Sequence, residues 1–285
     1  MRFAIDIPNF GPFADPHLVA DVARDAEDAG WEAIWVWDHV MRDPSDPHAD
    51  PYILLAAIAL ATTRIRLGPM VTPLARRRPW QVAREAVTLD HLSGGRLTLG
   101  LGSGSREHEF TAFGDPADLR TRAQMLDEGL AVIEGLWSGK AFSFQGRHFH
   151  IDDATQLPRP LQQPRVPIWL AATWPVRAPL ARAARFDGVW PLKRDAAGGS
   201  VPLEPEDVRG VAALIAELRS TQADRARPFD ILVAGVTPTG DRARAAEIAR
   251  SFEDAGATWW TERINSSRGS LDDMRARVRQ GPPRS

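Results

Sequence analysis

His39 follows directly on Asp38 where an apolar strand gives way to a loop, and no other histidine stands immediately after a predicted strand. Histidine is the usual group for moving a proton near neutral pH. An adjacent aspartate can orient the ring, accept a proton or cap a turn, and a loop histidine bonded only to backbone is the plain alternative. The run Gly102-Ser103-Gly104 also follows a strand. Paired glycines let backbone come close to a flat ring or a phosphate, although a simple turn has the same composition. Arg76-Arg77-Arg78, beyond Thr72 and Pro73, can meet phosphate or carboxylate or form a solvated face. Other residues at strand ends are Asn9, Glu109, Thr173-Trp174 and Lys193-Arg194. His148 and His150 alternate on one face of a predicted strand, with no carboxylate placed to complete a metal site, and His91 stands near a helix end, where histidine is usually structural.

The elements that must hold these residues alternate along the chain. Phe3–Ile7 reads as the first strand, and Asp15-Pro16 caps a helix that buries Val19, Val22, Ala23 and Ala26 and stops at Gly30. Ala33–Trp37, Arg64–Val71, Arg96–Leu101 and Ile168–Ala171 read as strands two to five, and later strands fall at Gly188–Pro191, Ile231–Gly235 and Thr258–Thr261. Between them lie helical stretches from Tyr52, Pro79 and Leu119, then near 175–186, 206–219 and 241–255, with a last helix at Ser270, where Ser270 and Asp273 form a capping-box pattern. Ser143–Ile151 alternates around Gly146 and reads as a hairpin inserted at about 140–165. Strand and helix in alternation predict a parallel sheet, and eight such units predict a (β/α)8 TIM barrel in a single domain, 1–285. An open doubly wound sheet is the alternative, but the first βα turn, Pro8-Asn9-Phe10-Gly11, has no GxGxxG. In a barrel the candidates above fall on the C-terminal face, where ligands bind. Trp31, Trp35, Trp37, Trp169 and Trp190 alternate along strands and are expected in the core or the barrel lining.

Composition narrows the function. With 44% hydrophobic and 25% charged residues the chain has an ordinary globular core, and a net charge of −2 offers no case for nucleic acid or a membrane surface. There is no cysteine, which excludes disulfides, thiolate catalysis and thiolate metal sites. The N-terminal MRFAIDIPNFGPF lacks the basic and apolar regions of a signal peptide, so a cytoplasmic location is expected. Arginine outnumbers lysine 33 to 2, the mark of a GC-rich genome.

As a set, the motifs resemble the luciferase-like monooxygenase superfamily of flavin- and deazaflavin-dependent oxidoreductases. They are Gly30-Trp31 with Ile34-Trp35-Val36-x-Asp38-His39, RIRLGxxVxPL at 64–74, LDxLSGGRxxLGxGxG at 89–104 with Glu109-Phe110, LWSG at 136–139, FxGxHF at 144–149, PxPxQxPxxPIWLA at 158–171 and ARxxDGVWP at 183–191. The resemblance implies a flavin-type ring on the C-terminal face, resting on a non-proline cis peptide at Met70-Val71 next to Thr72. It makes His39, with Asp38, the candidate catalytic pair near the reactive edge of the ring. Asn9, Gly102, Ser103, Gly104 and Glu109 become cofactor-side candidates, and Ala172 and Thr173 match the phosphate-side loop. Many relatives carry a glycine pair there, whereas this chain has Ala171-Ala172-Thr173.

The implied function is an oxidoreductase or monooxygenase acting on a small organic substrate, with either FMN or coenzyme F420 as cofactor. An FMN enzyme would use oxygen and need a flavin reductase as partner, and a deazaflavin enzyme would exchange hydride only. A homodimer is expected by the same resemblance. Two rivals stand beside it: a non-redox barrel enzyme on a phosphorylated substrate, for which Lys193 is the only lysine after a strand, and a flavin-binding protein without activity.

Overall fold

Short apolar strands each hand over to a capped helix, and the computed structural model, which describes residues 1–196, 198–222 and 226–284, closes them into a ring. In chain order β1 (Arg2–Ile7) leads to α1 (Pro16–Asp28), β2 (Ala33–Val36) to α2 (Pro51–Ala61), β3 (Arg66–Pro69) to α3 (Pro79–Leu92) and β4 (Leu99–Gly102) to α4 (Leu119–Trp137). The second half is β5 (Ile168–Trp174), α5 (Arg177–Ala183), β6 (Gly188–Arg194), α6 (Pro205–Arg219), β7 (Asp230–Gly235), α7 (Arg242–Glu253), β8 (Trp259–Arg263) and α8 (Leu271–Arg279). Neighbouring strands run parallel, and β8 pairs back onto β1. β3 meets β4 through Leu67↔Leu97 and, beyond the Met70-Val71 step, through Thr72↔Leu101. The fold is the (β/α)8 TIM barrel expected from the alternation.

The helix starts are built as their sequences suggest. Asp15 accepts from the His17 N–H, Asp50 from the Tyr52 and Ile53 N–H groups, and Ser270 and Asp273 close a reciprocal capping box. Arg96 of the SGGR motif donates to the carbonyls of Ala59, Thr62 and Ile65, so this arginine finishes the exposed end of α2. Asp90, two residues before Leu92, accepts from the backbone N–H groups of Leu161 and Gln162. Much of that motif therefore builds the frame.

Three strands run further than their apolar patterns suggest, β8 through Arg263 among them. β5 continues through Trp174 and β6 through Arg194, because Thr173 pairs with Leu192 and Trp174 with Lys193. Thr173, Lys193 and Arg194 are thus strand residues and do not follow their strands. The inserted hairpin is present as Phe142–Gln145 paired with His150–Ala154. The Glu128 carboxylate on α4 pins its turn by accepting from the N–H groups of Arg147, His148 and Phe149.

Three tryptophans fill the barrel axis. Trp35, Trp169 and Trp259 meet edge to face, with centroids 5.3, 5.6 and 5.8 Å apart. Glycines make room for them, since a Cβ on Gly188 would stand 2.7 Å from the Trp169 ring. Trp31 lies outside the barrel, where its indole donates to the Val278 carbonyl.

Candidate active site

Above the tryptophans, at the C-terminal ends of the strands, opens a cavity of about 450 Å³. Its wall is made by Trp37 and His39 beyond β2, Met70 and Val71 beyond β3, Gly102–Arg106 beyond β4, Ala171–Thr173 on β5, Trp190 and Leu192 on β6 and Arg263 on β8. The Met70–Val71 peptide is cis, as the resemblance implied. Glycines on β4 accommodate this step: a Cβ on Gly100 would fall 2.2 Å from the Pro69 carbonyl oxygen, and one on Gly102 would fall 2.9 Å from Val71. This gives the LGxG spacing a steric reason.

His39 is held from three sides. The Asn9 amide donates to its carbonyl and to that of Ala49, and the Asn9 side-chain oxygen accepts from the His39 N–H. Nδ1 lies 3.1 Å from both oxygens of Glu109, which sits on a short helix 70 residues away in sequence. Rings of Phe10 and Trp37 stand edge-on to the imidazole. Glu109 is 2% exposed and also accepts from the Val40 and Met41 N–H groups and from Arg76 at 3.1 Å. Burial alone would raise its pKa. The His39 contact, the Arg76 charge and the backbone donors outweigh burial and hold it down to about 2. With Glu109 ionised, the Nδ1–H group donates a hydrogen bond to the carboxylate, and Nε2 has no hydrogen-bond partner among the described residues.

Asp38 stands beside His39, and its carboxylate is engaged elsewhere. Oδ1 accepts from Arg76 at 2.8 Å and Oδ2 from Arg77 at 3.1 Å. Two of the three arginines are engaged within the protein, since Arg76 bridges Asp38 and Glu109 and Arg77 bridges Asp38 and Asp50, while Arg78 is exposed. These arginines meet the protein's own carboxylates, a role that local sequence could not separate from phosphate binding. A separate cavity of about 550 Å³ lies across this network, lined by Gln81, Glu85, Met125 and Phe149.

Of the residues singled out by sequence, Asp38, His39, Met70, Val71, Gly102, Ser103, Gly104, Glu109, Ala172 and Thr173 come together on one cavity wall. Asn9 and Thr72 do not reach it: Asn9 backs the His39 loop, and the Thr72 hydroxyl lies 3.1 Å from that of buried Tyr52. Lys193 turns out of the cavity to Asp207, at 2.8 and 2.9 Å. His91 bonds the Arg159 carbonyl, and His148 faces Gln124. Trp190, expected in the core or the barrel lining, stands on the cavity wall, whereas Arg42, Arg106, Leu192 and Arg263 are among the cavity residues that sequence reasoning missed. For Arg263 the available signal was its place two residues beyond Thr261 on the inward face of β8.

The family model described as luciferase-like monooxygenase matches residues 7–280. The chain belongs to that family. An F420-dependent hydroxymycolic acid dehydrogenase of Mycobacterium tuberculosis is 35% identical over 181 residues, 62% of this chain and 49% of that protein. The oxygenase component of the flavin-dependent trigonelline monooxygenase of Acinetobacter baylyi is 31% identical over 156 residues, 54% of this chain and 42% of that protein. The chain spans about half the length of these luciferase-like relatives. An F420-dependent secondary alcohol dehydrogenase, solved with an F420-acetone adduct, superposes with a TM-score of 0.79 at 18% identity, covering 99% of this chain and 98% of that one, which bears out the fold.

Proposed function

We propose that this chain is a flavin-type oxidoreductase acting on a small organic substrate, and that of the two cofactors deazaflavin F420 fits its site better than FMN. The observation that carries the reading is the imidazole of His39, fixed by an ionised buried carboxylate with its second nitrogen free beside the cavity. Such a nitrogen takes the proton that accompanies hydride transfer from a substrate alcohol. The F420-dependent relative supports the same choice.

The residues present suit a flat tricyclic ring with an anionic tail. Met70 and Val71 form a raised ledge against Gly102, and Ala171 and Ala172 add little bulk to the wall. Ser103, Gly104 and Thr173 offer backbone and hydroxyl donors on the phosphate side, in place of the glycine pair found in many relatives. When bound, the cofactor supplies the hydride chemistry. Trp37, Trp190 and Leu192 keep the space dry, and His39 holds or accepts the substrate proton at Nε2. Asn9 positions His39, Asp38 holds Arg76 against Glu109, and neither touches the reactants. On this reading residues 1–285 form one barrel domain that works as a homodimer in the cytoplasm.

A second reading, an FMN-dependent oxygenase served by a flavin reductase, is favoured by the flavin-dependent relative. The non-redox barrel has less support, because Lys193 is engaged by Asp207 outside the cavity. The test is His39→Ala with a confirmed substrate and cofactor. The expected result is a fall in kcat of about 10²–10⁴-fold with the cofactor Kd changed less than about threefold. Unchanged turnover would remove His39 from the chemistry.

A further inference from the structure

Next to Trp37 and Arg263 of the cavity lining lie buried polar atoms that have no hydrogen-bond partner among the described residues: both carboxylate oxygens of Asp6, Nε of Arg263, the indole nitrogen of Trp37 and the hydroxyl of Thr261. Asp6 lies in register with Arg263 on one side and Trp35 on the other, on the inward face of β1, and is 1% exposed. Arg263 Nε stands 3.9 Å from Asp6, too far for a hydrogen bond, while its side chain is one-third exposed to the cavity. Buried polar groups in folded proteins are nearly always bonded, so a cluster like this marks a place where something binds. The charge around it names the class of ligand. Arg42, Arg106, Arg194 and Arg263 line this one cavity, and apart from the long Arg263–Asp6 approach none has a carboxylate within 4 Å among the described residues. The acids on the same wall, Asp38 and Glu109, are already bound by Arg76.

We propose that Asp6 and Arg263 form a proton-coupled subsite for an oxyanion of the substrate, in which Arg263 takes the oxyanion and Asp6 acts through it as a positioning residue. When Asp6 is ionised, Arg263 is drawn down to the floor and a second anion is repelled. When Asp6 carries a proton, Arg263 is left with no countercharge and turns its guanidinium to the ligand. Binding therefore takes up one proton from solvent. The groups that act electrostatically on Asp6 are Arg263, Arg268 and Glu262 from β8 and the loop after it, and Trp37 from the end of β2. Burial dominates, opposed chiefly by Arg263 and then by Trp37, whose indole reaches toward the carboxyl without closing a bond. The balance pushes the Asp6 pKa up to about 7, within the physiological range.

The subsite presumes the substrate cavity of the proposed function, but its test needs neither cofactor nor turnover. Sodium sulfate, which does not titrate between pH 5.5 and 8.5, is titrated calorimetrically into the protein at constant ionic strength. The expected Kd is at least tenfold lower at pH 5.5 than at 8.5, and two buffers of different ionisation enthalpy report uptake of about one proton near pH 7.5. Asp6→Asn should bind sulfate equally at both pH values, and Arg263→Gln should lose binding while keeping the wild-type circular dichroism. Retained pH dependence in Asp6→Asn would assign the effect to another group, such as His39, and overturn the proposal, as would wild-type binding by Arg263→Gln. Sulfate retained by protein saturated with F420 or FMN supports a substrate subsite, and displacement by the cofactor would overturn that assignment. A protein that binds sulfate in this way but neither cofactor would refute the proposed function and leave the subsite standing.

Discussion

Replacing Glu109 by Gln removes one charge from beneath His39 while keeping nearly the same shape. In the folded protein the carboxyl is held at about 2 against an ordinary 4.5, with burial opposing and the His39 and Arg76 contacts prevailing. At ~1.4 kcal/mol per tenfold change in proton affinity, that difference amounts to about 3 kcal/mol of stability. Because the folded pKa is depressed, this contribution is present in full above 4.5 and is lost as the pH falls toward 2. Urea unfolding of wild type and Glu109→Gln at pH 7 should therefore differ by about 3 kcal/mol, and at pH 3.5 by about 2. Part of the loss at pH 7 comes from Arg76, which keeps Asp38 but faces an uncharged amide in a buried site. Turnover should fall too, since a glutamine leaves the tautomer of His39 unfixed. A gap that is the same at both pH values would mean that packing, and not charge, is what Glu109 contributes. A gap below about 1 kcal/mol at pH 7 would refute the reasoning outright.

Two further outcomes follow from the barrel interior. Gly100→Ala puts a Cβ 2.2 Å from the Pro69 carbonyl oxygen, a backbone atom that cannot swing away, so it should cost about 1–3 kcal/mol in urea unfolding and weaken cofactor binding at the Met70–Val71 ledge at least tenfold. Asp6, with its pKa raised to about 7 mainly by burial, stabilises the fold in full below about 3.8 and loses that contribution as the pH rises through 7. Stability of the ligand-free wild type should drop between pH 5 and 8.5 by about 3 kcal/mol, and Asp6→Asn should flatten the drop, as read by urea midpoints.

Local features of the sequence carried the element order well. Asp15 and Ser270 announce helix starts because a cap is a short-range bond, and the alternation of apolar strands and helical faces is equally local. The ends of β5 and β6 were not legible, because Thr173 and Lys193 continue their strands only through pairing with each other's neighbours. The same limit governs the site. His39 was readable from its position after β2, but its partner Glu109 is brought to it by the fold across 70 residues. Arg76 looked like one of three solvated arginines until the barrel set Asp38 and Glu109 on either side of it. Asp6 passed as an ordinary residue of an apolar strand, since only closure of β8 onto β1 sets it against Arg263.

The most direct measurement of the central reading is equilibrium titration of the purified protein with oxidised and reduced F420 and FMN, followed by quenching of the tryptophan or cofactor fluorescence. The expected result is one F420 per chain bound at micromolar Kd or tighter, with FMN at least tenfold weaker. Tight binding of FMN alone would move the chemistry to oxygen. Binding of neither would contradict the assignment of this cavity to a flavin-type oxidoreductase.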